Sequence, residues 1–143
     1  MYKKIAIAYD DSSSSEHALA TAISLAATLG SSLRIITVVE PLPLYVNISL
    51  AVDPDLPQQL LNERRERFEL AIQLALKHAA EAGVVADAAL IEGREVEGIL
   101  AEVGACHADL LVLGLRQHIG FGEMGSTAHR IAMRVTCPIL GVP

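Results

Sequence analysis

Tryptophan is missing from this chain of 143 residues, and tyrosine and phenylalanine bring the aromatic content to only 3%. A surface that stacks unpaired nucleobases needs several such rings, so single-stranded nucleic acid is a poor partner for it. Positive charge is scarce as well: 11 Lys and Arg stand against 17 Asp and Glu, for a formal net charge of −6. Binding to DNA or RNA draws its affinity from clustered cations on phosphates, and this balance argues against both. The two cysteines, Cys106 and Cys137, have neither a CxxC spacing nor a nearby His and Cys set. They are read as reduced, mostly buried thiols, with no zinc site. No apolar run approaches the roughly 20 residues of a membrane helix, and the start MYKKIAIAYDDS turns acidic too early for a signal peptide. The expectation is a cytoplasmic protein with no membrane and no nucleic-acid partner.

What the chain does have is aliphatic: hydrophobic residues reach 52% and charged ones only 20%, enough for one domain over residues 1–143 with an Ala, Leu, Ile and Val core. Lys4 to Tyr9 reads as a first strand, closed by Asp10 and Asp11. Ser12 to Ser15 open a helix, with Ser13 and Glu16 at capping-box spacing, and a helical apolar period runs from Ala18 to Leu29 and stops at Gly30. Ser32 to Val39 is a second strand. Glu40 to Pro57 carries four prolines and no sustained period, yet holds Leu44, Tyr45, Val46, Ile48, Leu50 and Val52. It is read as a flap packed over the domain or against a protein partner, or else as a solvated excursion. A long helix over Gln58 to Ala82 sets Leu61, Phe68, Ile72, Ala75 and Ala79 against a charged, self-paired face that includes Glu63, Arg64, Arg65, Glu66, Arg67 and Glu69. Val84 to Ile91 is a third, weaker strand, and a short helix begins at Val96. Leu110 to Leu113 is a buried strand, Thr127 to Val135 a last helix, and Cys137 to Val142 a final strand. Strands alternating with helices predict a five-stranded parallel sheet with helices on both faces.

The stretch from Asp109 to Ser126, DLLVLGLRQHIGFGEMGS, is where a ligand is expected. A strand ends at Gly114, which permits a sharp turn or close approach of a ligand. Gly125, Ser126 and Thr127 then open a helix whose unpaired N–H groups suit an anion; the plain alternative is a turn glycine and an ordinary N-cap. In such sheets ligands lie beyond the carboxyl ends of the strands, where the strand order reverses. With order 3-2-1-4-5 that point falls between strands 1 and 4, so Asp10 and Gly114 face each other across one crevice.

These segments together resemble a universal stress protein over nearly the whole chain. AYDDSSSSEHALATAISLA is similar to that family's opening strand, turn and first helix, and ITVVEP to its second strand. EGREVEGILAEVGACHADLLVLG is similar to its third turn, helix and fourth strand, and GSTAHRIAMRVTCPILGVP to its closing helix and strand. The resemblance implies an adenine nucleotide alpha-hydrolase-like fold, a homodimer joined through the Pro138 to Val142 edge strand, and an ATP or AMP site. Its contacts would be Tyr9, Asp10, Val38, Gly114, Arg116, Gln117, Gly125, Ser126 and Thr127. Many members hold phosphate on Gly, two residues, Gly, nine residues, then Gly-Ser or Gly-Thr. Here Gln117 stands at the second glycine, seven residues separate it from Gly125, and Asp11 replaces the glycine of the first turn. A branch of the family with a similar shortened loop binds no nucleotide, and the resemblance leans towards that branch.

Two rivals are weighed against that reading. Gly120 to Gly125 spells GxGxxG, but it starts six positions after Gly114, not directly after its strand, and no acidic residue stands about 20 positions on. A small enzyme would need a constellation among the five histidines, Ser12 to Ser15 and the two cysteines, and none has triad or metal spacing. His129 alone falls near the proposed site. The expectation is a non-catalytic stress-response regulator that uses nucleotide, if at all, as a regulatory ligand, with a nucleotide-free interaction module and a slow ATP hydrolase or self-phosphorylating protein as alternatives.

Overall fold

Alternation of small and β-branched residues makes Lys4–Ala8 a strand, β1, whose Ile5, Ala6 and Ile7 are wholly buried. The computed structural model describes residues 1–41, 55–115 and 126–143. Along these run α1 (Ser13–Leu29), β2 (Ser32–Val39), α2 (Leu56–Glu81), β3 (Ala86–Glu92), α3 (Glu95–Ala105), β4 (Leu110–Gly114), α4 (Ser126–Ala132) and β5 (Ile139–Val142). The five strands form one sheet in the order β3-β2-β1-β4-β5, and every pairing is parallel. This is the predicted architecture.

Both faces of the sheet are covered, which is why its inner strands read as apolar runs and not as a polar and apolar alternation. Ile5, Ile7, Leu33, Ile35, Leu110 and Val112 point to one side and pack with Ala18, Leu19, Ala22 and Ala26 of α1 and Ala75 and Ala79 of α2. Ala6, Ile36, Leu111 and Leu113 point to the other, against Val96, Ile99 and Val103 of α3 and Ile131 of α4. Alanines on α1 and α2 let those helices sit close to the sheet, and each buried Ile, Leu or Val contributes about 1.5–3 kcal/mol. At the amino ends of the strands, Asp109 accepts from the backbone N–H groups of Lys3 and Lys4 at 2.8 and 3.1 Å. Arg34 of β2 is clamped there between Glu102 of α3 and Asp87 of β3, which raises its pKa chiefly through the Glu102 hydrogen bond.

Several boundaries differ from expectation for local reasons. Among the four serines, Ser12 is the N-cap of α1, its hydroxyl accepting from the Ser15 N–H at 3.3 Å, so the capping register lies one residue earlier than Ser13. Helix α2 starts at Leu56, because Pro57 fits a first turn where its missing N–H has no partner to lose. The third strand begins at Ala86 and not Val84. Gly83, at φ +75°, closes α2 in a Schellman turn, with the N–H groups of Gly83 and Val84 reaching back to the carbonyls of Ala80 and Ala79. Helix α4 spans Ser126–Ala132 and β5 starts at Ile139. Except for its ends at Glu40, Pro41 and 55–57, the expected flap lies outside the described residues.

Gly114 has a role that its sequence context did not reveal. It is the last residue of β4, paired with Val142 of β5. A Cβ placed on it would stand 2.7 Å from the Ser14 carbonyl carbon, 2.8 Å from the Ser14 oxygen and 2.9 Å from the Ser15 nitrogen. The first turn of α1 rests on this bare Cα, and those are backbone atoms that cannot rotate away. Gly114→Ala is expected to cost about 1–3 kcal/mol through overpacking, measured by urea unfolding. A stability equal to wild type would show that the contact gives way freely.

Candidate functional site

The strands that follow β1 and β4 lie in opposite directions, since β2 is on the far side of β1 and β5 on the far side of β4. The crevice that opens there is the switch point expected for a ligand. Its floor is set by Tyr9. The Tyr9 N–H continues the ladder to the Ile36 carbonyl at 2.8 Å, and its own carbonyl accepts from the wholly buried Thr37 hydroxyl at 2.8 Å. Its ring is 5% exposed, and its hydroxyl donates to the Glu16 carboxylate on α1. Burial, then the Glu16 hydrogen bond, then the charges of Glu16, Asp11 and Asp10 push the phenol well above the usual tyrosine range.

Beyond Tyr9 the chain turns sharply. One Asp10 carboxylate oxygen accepts from the Ser12 N–H at 3.0 Å, and the Asp10 N–H donates to the Ser15 hydroxyl at 3.3 Å. Asp11 sits at φ +63°, in the left-handed region that favours glycine. Aspartate is among the few side chains that enter that region at modest cost. The carboxylate of Asp11 does not point freely at the crevice; it pairs with Arg67 of α2 at 3.4 Å. The hydroxyls of Ser12 and Ser15 are likewise engaged, with Ser12 and Ser14 3.3 Å apart, so this serine run builds a cap and not a nucleophile.

Two adjoining cavities open at this end. The first, about 240 Å³, is lined by Ala8, Tyr9 and Asp10 after β1, by Ser12, Ser14 and Ser15 of the α1 turn, and by Ile36 and Val38 of β2. Glu95 and Ile99 of α3, Leu113 and Gly114 of β4, and Thr127, Ala128 and Ile131 of α4 complete it. Tyr9, Asp10, Val38, Gly114 and Thr127, five of the residues singled out in the sequence, therefore converge from four strands and loops on one space. Ser126 begins α4 beside Thr127. Arg116, Gln117 and Gly125 lie outside the described residues, as does His118. His129 is exposed on α4, and His17, His78 and His107 are also exposed, so no described histidine enters the crevice.

The second cavity, about 280 Å³, is bounded by Asp10, Asp11, Ser12, Val38, Glu40, Arg64, Arg67, Phe68 and Glu95. It shares Asp10, Ser12, Val38 and Glu95 with the first. Each volume alone falls below the about 300–1,000 Å³ usual for a small-molecule site, whereas the two joined reach it. Glu40 accepts from the Glu95 N–H at 3.1 Å and so occupies the amino end of α3, where Arg94 supplies no side-chain cap. The sequence reading missed Glu40, Glu95, Phe68 and the two arginines. A signal existed for one of them: Arg64 precedes Phe68 by four residues and follows Leu61 by three, so helical period puts it on the buried stripe, and it is half-buried. The expected self-paired face of α2 is also more outward-reaching than predicted, since Arg65 pairs with both Glu69 and Glu92 of β3.

The profile of the Universal stress protein family matches residues 1–143. A Thermus aquaticus protein, the universal stress protein in the QAH/OAS sulfhydrylase 3′ region, is 32% identical over 143 residues, covering 98% of each chain. A universal stress family protein from Burkholderia pseudomallei superposes with a TM-score of 0.80 at 26% identity, covering 99% of this chain and 96% of that one. The same fold recurs in a universal stress protein in complex with cAMP (TM-score 0.66, 22% identity, 99% and 96% covered). It recurs again in the Archaeoglobus fulgidus protein in complex with dAMP (TM-score 0.70, 19% identity, 99% and 98% covered). The chain belongs to the universal stress protein family.

The Tyr9 geometry makes a pH prediction with a definite sign. The phenol is held protonated in the folded state, while an unfolded tyrosine titrates near 10. The stability that Tyr9 provides is thus complete below about pH 10 and is lost as pH rises from there toward its folded pKa. Tyr9→Phe is expected to lose about 1–2 kcal/mol at neutral pH, where a hydrogen bond to a carboxylate is removed, and to show a shallower alkaline decline than wild type. Parallel alkaline limbs for the two proteins, followed by urea unfolding, would contradict the assignment.

Proposed function

We propose that the chain is a non-catalytic adenine-nucleotide-binding regulator, with AMP or ATP held in the crevice between the ends of β1 and β4. The observation that carries this reading is the convergence of Asp10, Val38, Gly114 and Thr127 on one cavity. Val38, Ile36 and Ile99 offer apolar walls for a flat base, and Asp10, Ser12 and Thr127 offer polar groups for a sugar and its substituents. That two proteins of this fold carry cAMP and dAMP supports the choice of ligand class. Phosphoryl transfer needs metal-holding carboxylates, a positioned base and a cation over the transferred group. Here Asp10 is engaged with the Ser12 N–H, Asp11 with Arg67, and the serines with the α1 cap. These contacts fix the shape of the turn, which supports the binding reading.

Protein purified without added nucleotide, then denatured, is expected to release stoichiometric AMP or ATP, identified by chromatography and mass. No released nucleotide, together with no thermal shift in millimolar ATP and Mg²⁺, contradicts the reading and leaves a nucleotide-free interaction module.

The same proposal includes assembly as a homodimer through the Pro138 to Val142 strand. Strand β5 is an edge of the sheet, and an edge ladder without a partner invites pairing with a second copy. Leu115, 40% exposed, donates its N–H to the Val142 carbonyl and adds apolar surface beside that edge. Light scattering at micromolar concentration is expected to give the mass of a dimer, reduced to a monomer by Leu140→Asp. A monomeric wild type would overturn this part of the proposal without touching the nucleotide site.

A further inference from the structure

Helix α2 carries three arginines within one turn, and the structure treats them differently. Arg65 is paired with Glu69 and Glu92. Arg67 is paired with Asp11 and lies over the Phe68 ring at 5.2 Å from its centroid. Arg64 is half-buried, lines the second cavity, and makes no hydrogen bond or ion pair among the described residues. Its guanidinium nitrogens are reached by solvent, so its donors face the cavity's water and are open to an acceptor that displaces it.

The surroundings decide what that acceptor is. Four carboxylates, Asp10, Asp11, Glu40 and Glu95, share the cavity with only two guanidiniums. A phosphate dianion placed there could accept from the guanidiniums but has no donor to give the four carboxylates. A neutral group with acceptors beside donors suits both. It can accept from Arg64 and give its own N–H groups to the carboxylates. The edge of a purine base has this pattern, with ring nitrogens as acceptors and an exocyclic amine as donor.

We propose that Arg64 is a specificity-determining residue that donates to a ring-nitrogen acceptor of the base of the crevice ligand, with the base edge turned into the second cavity. This rests on the nucleotide reading above and goes beyond it, because it assigns a base-reading role to α2. Val38, which borders both cavities, would lie at the base, and the ribose and phosphate would lie in the first cavity towards Thr127.

The test compares AMP with ribose 5-phosphate, which has the same sugar and phosphate but no base. In wild-type protein labelled for observation of arginine side chains by NMR, AMP is expected to shift the Arg64 Nε–Hε signal, and ribose 5-phosphate is expected to leave it in place. Arg64→Ala is expected to weaken AMP binding about tenfold, the loss of one charge-assisted hydrogen bond, and to leave the weaker ribose 5-phosphate binding unchanged. Arg64→Lys keeps the charge and is expected to recover only part of the affinity. AMP that binds wild type without moving the Arg64 signal overturns the inference alone. An equal response to ribose 5-phosphate also overturns it and makes Arg64 an anion contact. Failure of AMP to bind wild type at all overturns the nucleotide reading together with it.

Discussion

The seating of the first turn of α1 on the end of β4 is the contact on which the crevice depends. It is possible only because Gly114 has no Cβ, and it is fixed from three further directions. Thr37 of β2 holds the Tyr9 carbonyl, Glu16 of α1 holds the Tyr9 hydroxyl, and Ser15 holds the Asp10 N–H. Two of these bonds tie the end of β1 to the start of α1, and the third ties it to β2. Breaking one leaves a polar group with little or no water to replace its partner, which raises the cost of distortion beyond that of an exposed hydrogen bond. The result is a rigid lip made from β1, β2, α1 and β4, on which the Asp10 turn is displayed.

That rigidity comes with a chemical consequence. The groups that look reactive in the sequence, Ser12, Ser14 and Ser15 with the adjacent Asp10 and Asp11, take part in holding the turn. The turn is thereby shaped before any ligand arrives, and the proposed binding role draws on that preorganisation. The second cavity sets four carboxylates beside two guanidiniums, a mixture of acceptors and donors that a purine base edge would match on the proposed reading.

The sheet was legible in the sequence because burial on both faces writes itself as continuous apolar runs, and parallel order follows once each pair of strands is joined by a helix. Convergence of Asp10, Val38, Gly114 and Thr127 was legible as well, since it follows from strand order and loop position. Other features were hidden by degeneracy or distance. Four serines in a row offer several equally good caps, and only the backbone turn at Asp10 and Asp11 selects Ser12. Glu16 looked like half of a capping box, yet its partner is a tyrosine seven residues earlier, brought back by the turn. Gly114 carried the marks of a ligand-facing glycine, and the neighbour that demands it is α1, nearly 100 residues away in the chain. Arg64 vanished into a charged run because its half-buried position is set by helical phase and not by composition.

The central claim is that the crevice between β1 and β4 holds an adenine nucleotide, and amide chemical-shift mapping during an AMP titration tests it most directly. The account predicts saturable shifts concentrated at Asp10, Ser12, Val38, Glu95 and Thr127, with the β5 edge and the amino ends of the strands unmoved. No shifts at millimolar AMP, or shifts centred away from these residues, would contradict it.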